Sequence, residues 1–259
     1  MTRFRLSHTR LSVYRQCPKR YWWTYIENLV PKTTLRVLEI GANMHTALGL
    51  HFEQKEPQAL EAIHDDPEVT GLYRDYLLQY PKEEEFEVIA TEHFTEAQLD
   101  FDYDVWYAVK ADNIIRFRKL LFLFEHKTCG RLGPTDIRRY LQSPQIKGYI
   151  WGMNHVLKTK IHGCLWDFII KTKHTEFQRI PQLYNESELE EWRQITLKWA
   201  LEISTAEDLN EFTEDLSACY GMRGECPYTP ICIKKGGEEV KQSLFQTREE
   251  QNPLHPKGG

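Results

Sequence analysis

The sequence predicts an α/β fold in which a central mixed sheet is flanked by helices. Helical patterns occupy the first part of the chain, several strand-like segments follow in close succession, and helices then alternate with one more strand. Apolar residues make up 41% of the 259 residues, which is enough to build a real core. We expect one domain over residues 1–234, with its core at about 38–203, and a flexible polar tail over 235–259.

The helices are predicted from the spacing of apolar and aromatic side chains. In the first helix, over residues 7–26, Ser7 or Thr9 could cap the N-terminus, and Pro18 indicates a kink or a new helix start. The helix at 186–203 is amphipathic and begins with glutamates. Further helices are expected over 38–53, near 68–79 and over 135–156.

The strands are predicted from short runs rich in β-branched and aromatic residues. Their expected positions are 86–94, 104–112, 114–118, 120–127 and 161–171. The first four lie so close together along the chain that they indicate an antiparallel meander.

The charge balance limits the kind of partner that the chain can have. A net charge of −5 and a pI of about 6.1 argue against a protein that coats nucleic acid, but not against an enzyme with a local basic groove. Each basic cluster is as consistent with solvated surface as with a nucleic-acid contact. The clusters are Arg3, Arg5, Arg10, Arg15, Lys19 and Arg20; Arg116, Arg118 and Lys119; and Arg131, Arg138, Arg139 and Lys147.

The first residues do not favour export or membrane insertion. The segment MTRFRLSHTR is basic but lacks an apolar core, and no run of about 18 apolar residues occurs. We therefore expect a cytoplasmic protein without a membrane span.

One pair of charged residues stands at the end of an apolar strand. Glu125 and Lys127 are two apart, so they project from the same face, with His126 on the other. Burying charge after the apolar run 120–124 is costly unless the charges are paired or bind a metal. Asp112 ends the neighbouring strand. This set of residues suits a site for Mg²⁺ or Mn²⁺.

Three further polar residues accompany this pair. Gln145 and Tyr149 are four apart and share one face of a predicted helix. His45 lies on an earlier helix between Gly41 and Gly49. A lone histidine in such a helix is more often a packed or surface residue than a metal ligand.

Together these residues resemble the RecB-type branch of the PD-(D/E)XK nucleases. The resemblance rests on a G-x-x-x-H element, an aspartate, an E-x-K pair and a Q-x-x-x-Y pair in that order. The chain departs from the pattern just before Asp112, where it has Lys110 and Ala111 and many members have a hydrophobic residue and a glycine. The positions that carry the resemblance are Gly41–His45, Asp112, Glu125–Lys127 and Gln145–Tyr149.

The resemblance implies a role for each of these residues. Lys127 is expected to be the catalytic lysine, and Gln145 and Tyr149 are expected to brace the site or the DNA strand. The metal ligands are expected to be His45, Asp112, Glu125 and the backbone carbonyl of His126.

The six cysteines form a second constellation. Cys219, Cys226 and Cys232 lie close together near the end, and Cys17 lies far upstream. No tight C-x2-4-C pair occurs, so zinc is less favoured than a [4Fe–4S] cluster, and free thiols in a loop are the remaining alternative. Cys129 and Cys164 are expected to be buried structural thiols.

The cysteine pattern resembles that of iron–sulfur nucleases, such as the CRISPR-adaptation exonuclease, AddB-type subunits of end-resection complexes and related phage proteins. The spacing between the second and third cysteines is often shorter in those enzymes. The resemblance implies a [4Fe–4S] cluster on Cys17, Cys219, Cys226 and Cys232. The cluster would staple residues 7–26 to residues 204–234.

The expected function is therefore that of a metal-dependent deoxyribonuclease. It is expected to be an exonuclease acting on single strands or DNA ends in recombination, repair, phage DNA processing or CRISPR adaptation. The alternative is a catalytically inactive, nuclease-like DNA-binding or scaffolding subunit. A cluster with a redox or regulatory role is a weaker reading. No G-x-x-x-x-G-K-[ST] motif occurs, so any helicase would be a separate partner, as would a recombination or adaptation protein.

Overall fold

The computed structural model describes residues 3–82, 85–221 and 224–248, and the chain divides into two compact units. The first, here called the sheet unit, consists of Leu35–Ala97 and Val109–Trp192. The second, the cysteine unit, consists of Met1–Thr34, Gln98–Ala108 and Arg193–Gly259. All the predicted metal-site residues belong to the sheet unit, and the four predicted cluster cysteines belong to the cysteine unit. A single domain over residues 1–234 stays a prediction.

The secondary structure alternates between helices and strands along the chain. The helices are α1 (His8–Gln16), α2 (Pro18–Tyr21), α3 (Arg36–Phe52), α4 (Glu56–Ile63), α5 (Pro67–Gln79), α6 (Pro134–Leu141), α7 (Pro144–Leu157), α8 (Glu186–Leu209), α9 (Thr229–Cys232) and α10 (Glu238–Leu244). The strands are β1 (Phe4–Ser7), β2 (Leu29–Pro31), β3 (Phe86–Asp100), β4 (Val105–Phe117), β5 (Leu120–Cys129), β6 (Ile161–Ile170), β7 (Glu176–Leu183), β8 (Tyr220–Gly221), β9 (Gly224–Glu225) and β10 (Phe245–Thr247).

The sheet unit contains a mixed sheet, as predicted. β4 pairs with β3 and, antiparallel, with β5; β5 pairs in parallel with β6, and β6 is antiparallel to β7. Arg118 and Lys119 form the two-residue turn between β4 and β5, and both have positive φ. Such a turn matches the twist of the two strands, although glycine or asparagine would adopt it more easily.

Helices cover the two faces of this sheet. On one face, Phe52 of α3 packs against the rings of Phe124 and His126. On the other face, Tyr140 of α6 packs against Trp166, and α7 contacts β6. An apolar cluster joins α3, α4 and α5 and includes Ile40, Met44, Leu48, Ile63, Val69, Leu72, Tyr73 and Tyr76. The α/β class with a flanked mixed sheet is thus confirmed.

The cysteine unit has smaller sheets and its own apolar cluster. β1 pairs in parallel with residues 105–108 of β4, and β10 pairs antiparallel with β2. Leu29, Tyr228, Ile231 and Phe245 form the cluster, against which Cys226 and Cys232 pack. The prediction of a flexible tail from residue 235 is wrong for α10 and β10, because the buried Phe245 anchors that segment. Residues 249–259 lie outside the described residues.

Prolines mark helix boundaries at two places, where Pro18 confirms the predicted new helix start and Pro144 divides one predicted helix in two. Residues 7–26 form α1, α2 and a π-helical turn, with Ser7 capping α1 and Pro18 starting α2. The predicted helix at 135–156 is two helices, because the residue before Pro144 avoids helical geometry.

Several strand predictions differ from the structure, and the short strands β2, β8, β9 and β10 were not predicted. Residues 104–112 and 114–118 belong to one strand, β4. β1 and β7 were not predicted, since β1 is short and β7 is largely polar.

No helix within the described ranges is long and apolar enough to cross a membrane.

Gly163 offers a test of the packing between β6 and β7. A Cβ atom there would collide with the backbone carbonyl of Gln182 and lie 2.9 Å from Phe122 Cε1. Gly163→Ala should therefore lower the free energy of unfolding by about 1–3 kcal/mol, measured by urea denaturation. Gly71→Ala is the matched control. Position 71 is exposed on α5 with nothing within 4 Å of a Cβ, so alanine there should be neutral or stabilising. Equal stabilities for the two variants would contradict this packing.

Candidate functional site

The site begins where β4 and β5 separate. Their paired register ends at Asn113 and Phe124. Beyond that pair, the His126 backbone N–H donates to a side chain on β4 and not to a backbone carbonyl of that strand. The acceptor is Asp112 Oδ2, at 3.1 Å. In an extended strand the N–H and C=O of one residue point to the same side. The His126 carbonyl therefore points toward the same gap as Asp112.

Glu125 and Lys127 form a close ion pair on one face of β5. Lys127 Nζ lies 2.7 Å from Glu125 Oε1. Glu125 is only 2% exposed, and its second oxygen, Oε2, is buried and accepts no hydrogen bond from the described residues. Half of the Glu125 carboxylate is thus unsatisfied.

His45 reaches Asp112 from α3. Its Nδ1 lies 3.3 Å from Asp112 Oδ2. Burial alone would lower the pKa of His45, but the Asp112 carboxylate raises it overall. Burial would likewise raise the pKa of Asp112, yet the His45 ring holds it below its usual range.

The surroundings of Glu125 disfavour its charged form. Burial and then the nearby Asp112 charge raise the pKa of Glu125. Burial disfavours the charged form of Lys127, but Glu125 and Asp112 together raise its pKa. Two carboxylates therefore share one lysine, an arrangement that favours a further cation.

Gln145 and Tyr149 lie beside these carboxylates on α7. Gln145 Nε2 donates to Tyr149 Oη at 3.0 Å. Tyr149 is buried, and burial followed by the Glu125 charge raises its pKa. The sheet unit thus brings all the residues of the predicted site to one region.

The donors fit a hard divalent cation. Asp112, Glu125 and the His126 carbonyl offer oxygen ligands, which Mg²⁺ and Mn²⁺ prefer. The partnerless Glu125 Oε2 is the observation that favours a ligand here. Among the described residues, no three His, Cys, Asp or Glu side chains are already grouped as a metal site. In this structure Lys127 contacts the Glu125 oxygen that a metal would also attract.

A family model of the PD-(D/E)XK nuclease superfamily matches residues 5–233. The chain belongs to the PD-(D/E)XK nuclease superfamily. Members of this superfamily are typically metal-dependent nucleases, which agrees with the donor set of the site.

Two solved structures extend the comparison of this PD-(D/E)XK protein. One is a protein from Eubacterium rectale with a provisional exonuclease name; it is 11% identical with a TM-score of 0.55, and the match covers 91% of this chain and 94% of that one. At this identity the likeness concerns the fold. The other, SSO0001, is 13% identical with a TM-score of 0.31, and the match covers 60% of this chain and 73% of that one. None of the curated proteins matches the chain.

In the cysteine unit of this PD-(D/E)XK protein, two of the predicted cluster cysteines contact the backbone of the same residue, Asp215. The Asp215 N–H donates to Cys17 Sγ at 3.5 Å, and the Asp215 carbonyl accepts from Cys219 Sγ at 3.7 Å. The Cys226 N–H donates to the Cys219 carbonyl at 2.7 Å. Burial, then the charges of Cys226 and Cys17, raise the pKa of Cys219. Among the described residues, no three cysteines lie close enough together to form a metal site, so the iron–sulfur cluster stays a prediction.

The two other cysteines lie in the sheet unit. Cys164 is buried, and burial raises its thiol pKa well above the usual value. Cys129 is half-buried, so the prediction of a buried thiol is wrong there, because Cys129 is the last residue of β5.

Sequence reasoning missed a polar network on the opposite sheet face. Asp167 is fully buried and contacts the His126 ring, Tyr76 and Arg179. A signal was present, since Asp167 is the only carboxylate in the apolar run IHGCLWDFII. Its contacts, however, come from distant elements that the sequence does not bring together by itself.

The His45–Asp112 pair predicts a pH-dependent stability in the metal-free protein. Because the folded pKa of His45 is raised above 6.5, the pair stabilises below that ordinary value, and this contribution is lost as pH rises through the raised pKa. In EDTA, the His45→Asn variant should be less stable than the wild type at about pH 5.5 and nearly as stable as the wild type at about pH 9. The midpoints of urea denaturation at the two pH values measure this difference.

His155 is the matched control for this prediction. Burial and the nearby Lys158 lower its pKa, so its charged form is disfavoured in the folded protein. His155→Asn should therefore change the low-pH stability in the opposite direction. A His45→Asn effect that is the same at both pH values would contradict the pairing.

Proposed function

We propose that this protein is a Mg²⁺- or Mn²⁺-dependent deoxyribonuclease that acts as an exonuclease on single strands or DNA ends. The observation that carries the proposal is the buried Glu125 carboxylate, which lies beside Asp112 with one oxygen unpartnered. A buried carboxylate with one unpartnered oxygen is costly even beside Lys127, and a bound cation would offset that cost. The superfamily supports the same chemistry.

The residues of the site would divide the work of phosphodiester cleavage. Asp112, Glu125 and the His126 carbonyl would hold the cation, with His45 as a further ligand. A bound divalent cation supplies a polarised phosphate and a water of lowered pKa. Lys127, released from Glu125 Oε1, would donate to the phosphate oxygens and neutralise the charge that develops there.

Gln145 and Tyr149 would brace the substrate or the site. Their mutual hydrogen bond fixes the Tyr149 hydroxyl beside Glu125 and Lys127. A tyrosine fixed in this way can contact the bound strand without titrating, because its pKa lies above the usual value.

A basic surface supports DNA as the substrate. Arg131 lies four residues after Lys127, and Arg138 and Arg139 lie on α6, on the same sheet face as the site. All three are exposed, and no carboxylate pairs with them in the described part of the chain. Exposed arginines next to a hydrolytic site suit the phosphate backbone.

Action on DNA ends rests on the comparisons. The provisional name of the Eubacterium rectale protein favours an exonuclease, through a shared fold alone. A role in recombination, repair, phage DNA processing or CRISPR adaptation, a separate helicase or adaptation partner, and a cytoplasmic location remain predictions from sequence.

The alternative is an inactive nuclease-like subunit that binds DNA or scaffolds a complex. A degenerate site would have lost at least one charged group, yet Asp112, Glu125 and Lys127 are all present and adjacent. Their presence favours the enzyme.

Nuclease assays with end-labelled single- and double-stranded DNA test the proposal. With Mn²⁺ or Mg²⁺ the wild type should shorten the labelled strands, and EDTA should stop it. Asp112→Asn, Glu125→Gln and Lys127→Ala should each lower the rate by at least about 100-fold, because the first two weaken the proposed cation site and the third removes the amine that would face the phosphate.

Lys160→Ala is the matched control, because it removes a lysine from an exposed ion pair with Glu186 and should keep full activity. Metal-independent binding without cleavage by the wild type would favour the inactive subunit instead. An RNA substrate of the same sequence tests the preference for DNA.

We also propose that Cys17, Cys219, Cys226 and Cys232 hold a [4Fe–4S] cluster with a structural role. The raised pKa values of Cys219 and Cys232, due first to burial, partly reflect charge repulsion from the neighbouring cysteines. Iron bound to the thiolates would relieve that repulsion.

Anaerobic purification tests the cluster. The wild type should be brown and contain about four iron and four sulfide per chain. Cys226→Ala should lose both colour and iron, whereas Cys129→Ala, in the sheet unit, should keep them. Colourless protein that contains zinc or no metal would contradict the cluster.

A further inference from the structure

A buried polar network lies on the sheet face opposite to the candidate site. The chemistry proposed above does not use its side chains. Its members Tyr76, Asn113, His126 and Asp167 are at most 2% exposed, and the side chain of Arg179 completes the set.

Asp167 organises this network. Its Oδ2 accepts hydrogen bonds from His126 Nδ1 at 2.8 Å and from the Tyr76 hydroxyl at 3.0 Å. Its Oδ1 accepts from Arg179 Nε at 3.3 Å. Each carboxylate oxygen thus has at least one donor.

These contacts leave the His126 ring one orientation. Asp167 requires Nδ1 to be a donor, so Nε2 is the acceptor for the Asn113 amide at 3.2 Å. The Phe52 ring stacks on the imidazole at 5.4 Å between centroids and 17° between planes. Both nitrogens and one ring face are therefore engaged.

The backbone of the same residue belongs to the candidate site. The His126 N–H holds the Asp112 carboxylate at 3.1 Å, and its carbonyl points toward the same gap. His126 also links Glu125 to Lys127 along β5. A shift of His126 as a whole would therefore displace the N–H that holds Asp112 and the two peptides that lead to Glu125 and Lys127.

We propose that Asp167 is a positioning residue that acts through the His126 ring to hold Asp112, Glu125 and Lys127 in metal-binding geometry. The proposal rests on the proposed function. A buried ionic network seldom stabilises a fold more than well-packed apolar residues would, so stability alone does not account for this one. Small displacements of a ligand, in contrast, strongly affect metal binding.

Direct Mn²⁺ titration, together with the Mn²⁺ dependence of DNA cleavage, tests the proposal. Asp167→Ala should raise the half-saturating Mn²⁺ concentration about tenfold or more. Asp167→Asn, which keeps the shape and part of the hydrogen bonding, should raise it by a smaller factor of about three. At saturating Mn²⁺ the KM for DNA should stay that of the wild type.

Ile169→Ala is the matched control. Ile169 is fully buried on the same strand and face as Asp167, and it packs in the α3–α5 cluster. Its loss should lower stability without changing the half-saturating Mn²⁺ concentration. Should Asp167→Ala not fold, Asp167→Asn decides the question. A wild-type Mn²⁺ dependence in a folded Asp167 variant would overturn the proposal.

Amide hydrogen exchange separates this proposal from the proposed function. In metal-free protein, Asp167→Ala should speed exchange of the His126 N–H, whereas Ile169→Ala should leave it slow. If the wild type neither binds Mn²⁺ nor cuts DNA but this selective change occurs, the proposed function fails and the positioning through His126 stands. If the His126 exchange is unchanged in Asp167→Ala, the positioning role is overturned whatever the activity.

Discussion

The approach of the buried Glu125 and the partly buried Asp112 to a single lysine, where β4 and β5 separate, determines the chemistry of the whole site. Asp112 is satisfied by the His126 N–H and by His45, and Glu125 is half satisfied by Lys127. A carboxylate that is buried and incompletely paired is costly, and the raised pKa of Glu125 expresses that cost. The site therefore has more negative than positive charge, and a divalent cation would balance it.

Side chains alternate between the two faces of β5, so the two faces have different surroundings. Glu125 and Lys127 face α6 and α7, whereas Phe124 and His126 face α3 and α5. In the proposed function, one face carries the charges that would bind the cation, and in the proposed positioning role the other face would hold the backbone of β5. The parallel pairing with β6 brings Asp167 directly beside His126.

The sequence predicted the elements whose pattern is local. Glu125 and Lys127 follow from a period of two on an apolar strand, and the helix carrying Gln145 and Tyr149 follows from their spacing of four. The sequence could not predict that Lys127 pairs with Glu125, because that depends on the burial of both. The Asp167 network was also missed, since Tyr76 and Arg179 approach it from α5 and β7. The tail was misjudged because its polar composition hid Phe245, which packs under Tyr228.

A crystal structure with Mn²⁺, located by its anomalous scattering, would show whether the two carboxylates hold a cation. We expect one strong site within about 2.0–2.6 Å of oxygens from Asp112, Glu125 and the His126 carbonyl, with Lys127 displaced from Glu125 Oε1. Manganese bound elsewhere, with the 2.7 Å contact between Lys127 and Glu125 intact, would contradict it.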